Sequence, residues 1–265
     1  MDQYHKDEGA TADSRAVFPK TNWMLISAAS RADNPEGWKA LENLCSLYWY
    51  PLYAVARRCG HPPANAKDFV QGFFVHFLSK SSRLAAADPE KGSFRGFLKT
   101  CLRHYIINRK DFDKRRVQGQ AVVSVDSLAG ELKYSVEPQE ADGMELFDLG
   151  WARETFRTAV ESILLESRDG LHGKDAEKLI PFLTGRGIPA SMPEFAKEMG
   201  IQDGALRVRI SRLRKRLGEI LFQIVSLQVG NQRDCLEEFR YLFAVLARYY
   251  EAGRETKSSG SAAIG

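Results

Sequence analysis

Residues 192–217, MPEFAKEMGIQDGALRVRISRLRKRL, decide how the chain is read. In the first part Phe195, Ala196 and Met199 lie three or four residues apart and form one apolar face, with Pro193 suited to a first helical turn. Gly200 ends that helix, because glycine takes the left-handed backbone conformation a sharp stop requires, and Ile201 plugs the angle that follows. In the second part Leu206, Ile210, Leu213 and Leu217 recur on one stripe. Arg207, Arg209, Arg212, Arg214, Lys215 and Arg216 occupy the rest, without one acid from Ala205 to Leu217. The pattern predicts a helix-turn-helix whose second helix suits a polyanion. In a DNA major groove such a helix sets some cations against phosphates and others, near its N-terminus, against base edges. A solvated charged face is the alternative, and the short helix and glycine turn weigh against it.

A length of 265 residues leaves room for two small domains, and 44% hydrophobic with 27% charged residues is ordinary globular composition. The net charge of +4 hides a segregated distribution. From Arg95 to Arg116 the chain carries Arg95, Lys99, Arg103, Arg109, Lys110, Lys114, Arg115 and Arg116 against Asp111 and Asp113 alone. From Val117 to Gly150 the sign inverts, with Asp126, Glu131, Glu137, Glu140, Asp142, Glu145 and Asp148 against Lys133. Two basic patches thus flank an acidic connector, as two tethered DNA-contacting modules would, with the connector kept off the phosphates.

Several functional classes find no support. Cys45, Cys59, Cys101 and Cys235 are scattered without a CxxC pair, and read as buried reduced thiols. His5, His61, His76, His104 and His172 show no metal-ligand spacing, and no GxxxxGK[ST] loop occurs, so no metal, cofactor or enzymatic role is expected. The polar N-terminus has no apolar signal core and no segment has the roughly 18 apolar residues that span a bilayer, so a cytoplasmic protein without membrane insertion is expected. The last residues, GRETKSSGSAAIG, read as a disordered tail.

The N-terminal half reads as helices. Trp38, Leu41, Leu44, Cys45, Tyr48, Leu52, Val55 and Ala56 follow helical spacing, and Pro51 kinks or divides that helix. Pro62 and Pro63 open a second, with Ala66, Phe69, Val70, Phe73, Phe77 and Leu78 inward and Asp68 and Gln71 towards its edge or exterior. A third starts near Ser93 and turns Phe94, Phe97, Leu98, Cys101, Leu102, Tyr105 and Ile106 inward. Only AVVSV, Ala121 to Val125, is strand-like. The expected fold is all-α.

DFVQGFF at Asp68 to Phe74, GSFRGFLKTCLRHYIINRKDFDKRR at Gly92 to Arg116 and the helix-turn-helix together resemble a bacterial sigma factor of the sigma-70 family. Their order resembles the extracytoplasmic-function (ECF) group, which has only the sigma-2 and sigma-4 domains. TNWMLISAA at Thr21 to Ala29, YWYPLYAVARRCGH at Tyr48 to His61 and EFRYLFAVL at Glu238 to Leu246 resemble a planctomycete-like ECF-type branch. The resemblance covers about Thr21 to Leu246.

It implies a sigma-2 helical bundle over 21–116 and a sigma-4 helix-turn-helix over 151–225, which with the residue patterns gives a tail over 1–20, a flexible acidic linker over 117–150, an amphipathic helix over 226–252 that the family's minimal layout lacks and a tail over 253–265. It implies core RNA polymerase and promoter DNA as partners, and leaves room for an anti-sigma factor or other regulator. Asp68, Gln71 and Phe74 align with the segment that docks on the polymerase clamp, with Gly72 where the family commonly has glutamate. Arg95, Lys99, Arg103 and Arg109 are then expected on the phosphates of the minus-ten element. His104 and Asn108 read a base, or His104 is an ordinary surface histidine. In the minus-thirty-five major groove Arg207, Val208, Ser211 and Arg212 face the bases, with Arg214, Lys215 and Arg216 on phosphates. Gln202 stands where the family usually has a serine or threonine cap. The late stripe Leu236, Phe239, Leu242, Phe243, Leu246 and Tyr250 extends the sigma-4 core, holds the two DNA surfaces together, or binds a regulator. A helix-turn-helix regulator acting on duplex DNA without polymerase is the alternative function.

Overall fold

The computed structural model describes residues 35–79, 92–113, 125–168, 176–185 and 191–261. These residues form helices α1 (Pro35–Arg58), α2 (Pro63–Ser79), α3 (Phe94–Asp113), α4 (Val125–Tyr134), α5 (Gly143–Arg168), α6 (Ala176–Thr184), α7 (Met192–Glu198), α8 (Asp203–Ser226) and α9 (Gln232–Ser261). The described residues are all-α, with no strand among them. The 1–20 tail, the TNWMLISAA segment and residues 121–124 of AVVSV lie outside the described residues, and Val125 begins a helix.

Helix α1 runs unbroken through Pro51 and is not divided there. Pro51 is buried against α5, where Gly150 brings the two backbones together: a Cβ at Gly150 would lie 3.1 Å from the Pro51 Cα. The second helix of the N-terminal half buries Ala66, Phe69, Val70, Phe73 and Phe77, the stripe its spacing predicts, and leaves Asp68 and Gln71 exposed. One apolar cluster then continues from Ala40 and Tyr48 of α1 through Phe147 and Trp151 of α5 to Leu206 of α8 and Leu242 of α9.

The acidic stretch expected as a flexible linker is, over 125–150, largely packed helix. Asp142 Oδ1 accepts from the Met144 and Glu145 amides at 2.6 and 2.8 Å while Glu145 Oε2 accepts from the Asp142 amide at 2.9 Å, a reciprocal cap that starts α5. Leu146, Phe147, Leu149 and Trp151 on its first turns are buried, and α5 lies along α1 before reaching α8. The connector's α4 packs on α1 and α2. Gly130 makes that approach possible, since a Cβ there would meet the Tyr53 ring at 3.0 Å, and Glu131 holds Arg57 at 2.8 and 2.9 Å. Glu137 is buried in a pair with Arg153 at 2.7 Å, and Lys133 of the connector pairs with Glu154 of α5 at 2.5 Å, while Glu140, Asp142 and Glu145 stay exposed.

At the other end α9 continues to Ser261, so the tail expected from 253 is helical over most of its length; Arg254, Glu255 and Lys257 are good helix formers and no proline interrupts them. Among its described side chains α9 buries Cys235, Leu242 and Leu246, with Phe239 half-buried. Leu236 and Phe243, expected on the same stripe, are 43% and 44% exposed, because α9 meets α8 and α5 along a narrower seam. The side chain of Tyr250 lies outside the described residues. The four cysteines are free, but only Cys235 is fully buried; Cys45 and Cys101 are partly covered, and Cys59 is exposed at the end of α1, contrary to the expectation of buried thiols. No helix among the described residues is long and apolar enough to cross a membrane.

Candidate nucleic-acid interface

Ser93 Oγ accepts the Gly96 amide at 3.2 Å and so starts α3, which buries Phe94, Leu98 and Leu102. Tyr105 lies against the rings of Phe69, Phe73 and His76 at 5.2–5.5 Å, and Phe97 against Phe77 at 6.0 Å. These aromatics are packed within the bundle. Outward, α3 presents Arg103, His104 and Asn108, with Ile107 61% exposed beside them. The Arg109 side chain lies outside the described residues.

Arg95 and Lys99 are placed differently. Arg95 donates through Nε and Nη2 to the two oxygens of Glu238 at 2.8 and 2.9 Å, and through Nη1 to Asp148 Oδ1 at 2.6 Å. Lys99 Nζ takes Asp148 Oδ2, which also accepts the Tyr241 hydroxyl at 2.9 Å. The Arg95 guanidinium stands 4.3 Å from the Tyr241 ring centre and 5.0 Å from that of Trp151. Exposure of the Arg95, Asp148 and Glu238 side chains is 12%, 7% and 13%. Burial alone would lower the Arg95 pKa, but the two carboxylates outweigh it and hold the guanidinium above its ordinary value. Burial, reinforced by Asp148, pushes the Tyr241 hydroxyl up to about 12. The two cations expected on promoter phosphates are thus held by carboxylates of α5 and α9.

A second joint lies beside this network. Gln228, at the end of α8, accepts the Tyr48 hydroxyl at 2.5 Å and the Trp151 indole N–H at 3.0 Å, and its carbonyl receives the Phe94 amide at 2.8 Å. Gln228 therefore satisfies three buried donors, one of them at the N-terminus of α3.

On α2, Asp68 and Gln71 are exposed and Phe74 is half-buried. Phe74 lines a groove with Cys45 and Trp49 of α1 and Ala129 and Gly130 of α4, so the connector helix borders the face expected to meet polymerase.

The helix-turn-helix is formed by α7 and α8. Ser191 caps α7, Gly200 takes φ +68°, and the Ile201 amide returns to Ala196 O at 2.9 Å. Gln202 makes no side-chain cap bond to α8. Leu206, Ile210, Leu213 and Leu217 are buried as expected. Arg207, Val208, Ser211 and Arg212 are exposed on one side, with Arg207 paired to Asp203 at 2.9 Å. Arg209, Arg212 and Lys215 are exposed, with no ion-pair partner among the described residues. Two expected phosphate contacts are committed inside the chain. Arg214 donates to Phe182 O at 3.2 and 3.3 Å, and Arg216 grips Glu166 at 2.6 and 3.0 Å and reaches Glu219 at 3.2 Å. Among the described residues no group of His, Cys, Asp and Glu is placed to hold a metal ion.

Residues 48–116 match the family profile described as Sigma-70 region 2. The match is to that segment, about a quarter of the 265 residues, and shows its likeness to region 2 of sigma-70 factors. It spans the second half of α1, all of α2 and α3, and so contains both Asp68, Gln71 and Phe74 and the cations of α3. No curated protein and no solved structure matches the chain. The segment similar to region 2 is bound to three residues that the sequence does not single out as its partners, Asp148, Gln228 and Glu238. The apolar run Leu146, Phe147, Leu149 and Trp151 inside the acidic stretch was the available signal for the first; Gln228 and Glu238 carry none.

Proposed function

We propose that the protein is an ECF-type sigma factor, of the planctomycete-like branch, that binds core RNA polymerase in the cytoplasm, directs it to promoters and opens the duplex without covalent chemistry of its own. The observation that carries this is the pairing, in one chain, of a region 2 helix exposing Arg103, His104 and Asn108 with a separate helix-turn-helix exposing Arg209, Arg212 and Lys215. A strand-separating surface needs cations and hydrogen-bonding side chains for unstacked bases, and α3 offers both. The duplex needs a groove-reading helix, and α8 is long, basic and exposed along one side. Asp68 and Gln71 on α2 form the polymerase contact with the uncovered part of Phe74. Arg207, Val208, Ser211 and Arg212 read the minus-thirty-five element, and an anti-sigma factor or other regulator is a further partner.

The test is reconstitution with core polymerase on genomic promoter fragments, reading run-off transcripts and permanganate-reactive thymines. The expected result is a bubble and a transcript only when chain and core are both present. Duplex binding by the chain alone, with no bubble in the presence of core, would establish the helix-turn-helix regulator instead.

A further inference from the structure

We propose that Asp148 and Glu238 occupy, on Arg95 and Lys99, the place of two phosphates of a single nucleic-acid strand, so that the chain is closed on itself and that strand must displace them to bind α3. The proposal rests on the reading of α3 as a strand-binding helix.

An arginine fork fits carboxylate and phosphate with the same two-point geometry. Arg95 presents its Nε and Nη2 edge to Glu238 and the remaining Nη1 to Asp148, so each of its three nitrogens donates to an internal anion. Lys99 is one turn further along the same face and shares Asp148. Both carboxylates come from outside region 2, one from α5 and one from α9. The next cation along α3, Arg103, is exposed.

The choice of residues is a poor one if the contact serves stability alone. Burying two cations and two carboxylates carries a desolvation cost that their attraction barely recovers, and apolar side chains of similar volume hold helices together as well or better. An apolar seam is indifferent to a polyanion. A charged one can be exchanged, because an incoming strand supplies the anions that Arg95 and Lys99 lose and leaves Asp148 and Glu238 to water. Tyr241 fits the same scheme: its hydroxyl bonds Asp148 and its ring covers Arg95, so the withdrawal of α9 uncovers the guanidinium face.

The experiment compares full-length wild type with Asp148→Asn plus Glu238→Gln, amides that keep the volume, remove the charge and leave one accepting oxygen on each side chain. The probe is a fluorescein-labelled single-stranded oligonucleotide, followed by anisotropy over a salt series, and compactness is followed by small-angle scattering. A second double variant, Glu140→Gln plus Glu237→Gln, removes the same two charges from exposed positions. The expected result is an enlarged radius of gyration and about tenfold tighter binding at low salt for the first variant, with its log affinity against log salt steeper by about 1.4 for two added strand phosphates. Adding Arg95→Ala and Lys99→Ala to it abolishes the gain, and the exposed-charge variant stays within about twofold of wild type. Glu238→Gln alone, which keeps Asp148 between the cations, gives an intermediate gain and covers the case in which the double variant fails to fold. Equal gains in both double variants, or no gain at all, would overturn the proposal. A variant that expands yet binds no tighter overturns it through the role given to α3, whereas failure of transcription with core polymerase would leave the anisotropy result standing.

Discussion

Tyr48 donates its hydroxyl to the side chain of Gln228 at 2.5 Å, a bond between residues 180 apart in sequence that fastens the end of α8 to the middle of α1. The bond is buried, and Trp151 shares the same acceptor. Removing Gln228 therefore strands two donors, whereas removing the Tyr48 hydroxyl leaves Gln228 with Trp151. Gln228→Ala is expected to cost about 2–4 kcal/mol and Tyr48→Phe about 1 kcal/mol. Urea denaturation of the two variants measures this, and equal losses would show that Gln228 is not the joint described.

Base reading and phosphate contact separate on α8. Arg212→Ala is expected to cost about 1–3 kcal/mol at one promoter position and to relax discrimination there, because a bidentate contact to a base edge is lost. Lys215→Ala is expected to weaken all sequences alike and to reduce the slope of log affinity on log salt by about 1. Arg216→Ala should leave that slope unchanged and lower the melting temperature instead, since Glu166 and Glu219 hold the guanidinium and keep its pKa above the ordinary value. Titration of single-base promoter variants at several salt concentrations distinguishes the three. A salt slope lowered by Arg216→Ala would return that residue to the DNA surface.

The Arg57 guanidinium holds the Glu131 carboxyl below its usual range, opposed by partial burial and helped by the Tyr53 hydroxyl. A lowered carboxyl pKa in the folded state stabilises the fold above the unfolded value of about 4.3, and the contribution is lost as pH falls through the lowered folded value. The melting-temperature difference between wild type and Glu131→Gln is thus expected to be constant from neutral pH down to about 5 and to close in stronger acid. A difference that widened in acid would mean that the carboxylate is not stabilised where α4 meets α1.

Thiol labelling near pH 8 is expected to proceed at Cys59 first. Burial pushes the Cys45 and Cys235 thiols up to about 11, so little thiolate is present at either, while Cys59 is exposed. Mass spectrometry of a timed reaction reports the order. Labelling of Cys235 ahead of Cys59 in the folded protein would contradict the packing of α9.

Local periodicity made most of the helices legible. The α8 stripe of Leu206, Ile210, Leu213 and Leu217 and the α2 stripe of Phe69, Phe73 and Phe77 are buried as their spacing predicts. The start of α3 near Ser93 and the turn at Gly200 also form where the sequence places them. Charge was misleading where its partners are distant. Asp148 reads as one acid among several in a solvated connector, yet it is 7% exposed between Arg95, Lys99 and Tyr241. No local pattern encodes a pair 53 or 143 residues apart, so the sequence assigned Arg95 and Lys99 to phosphates while tertiary packing gave them carboxylates. Pro51 misled in a simpler way: α1 runs through it, with Gly150 of α5 packed closely against it.

The counter-charges of Arg95 also arrive late in the making of the chain. Asp148 follows it by 53 residues and Glu238 by 143. At roughly 5–20 residues per second, a ribosome needs roughly 7–30 s to travel from Arg95 to Glu238. Throughout that interval the nascent α3 carries its cations without the α9 carboxylate, beside the polyanionic surface of the ribosome itself, and the arrival of α9 ends this exposure.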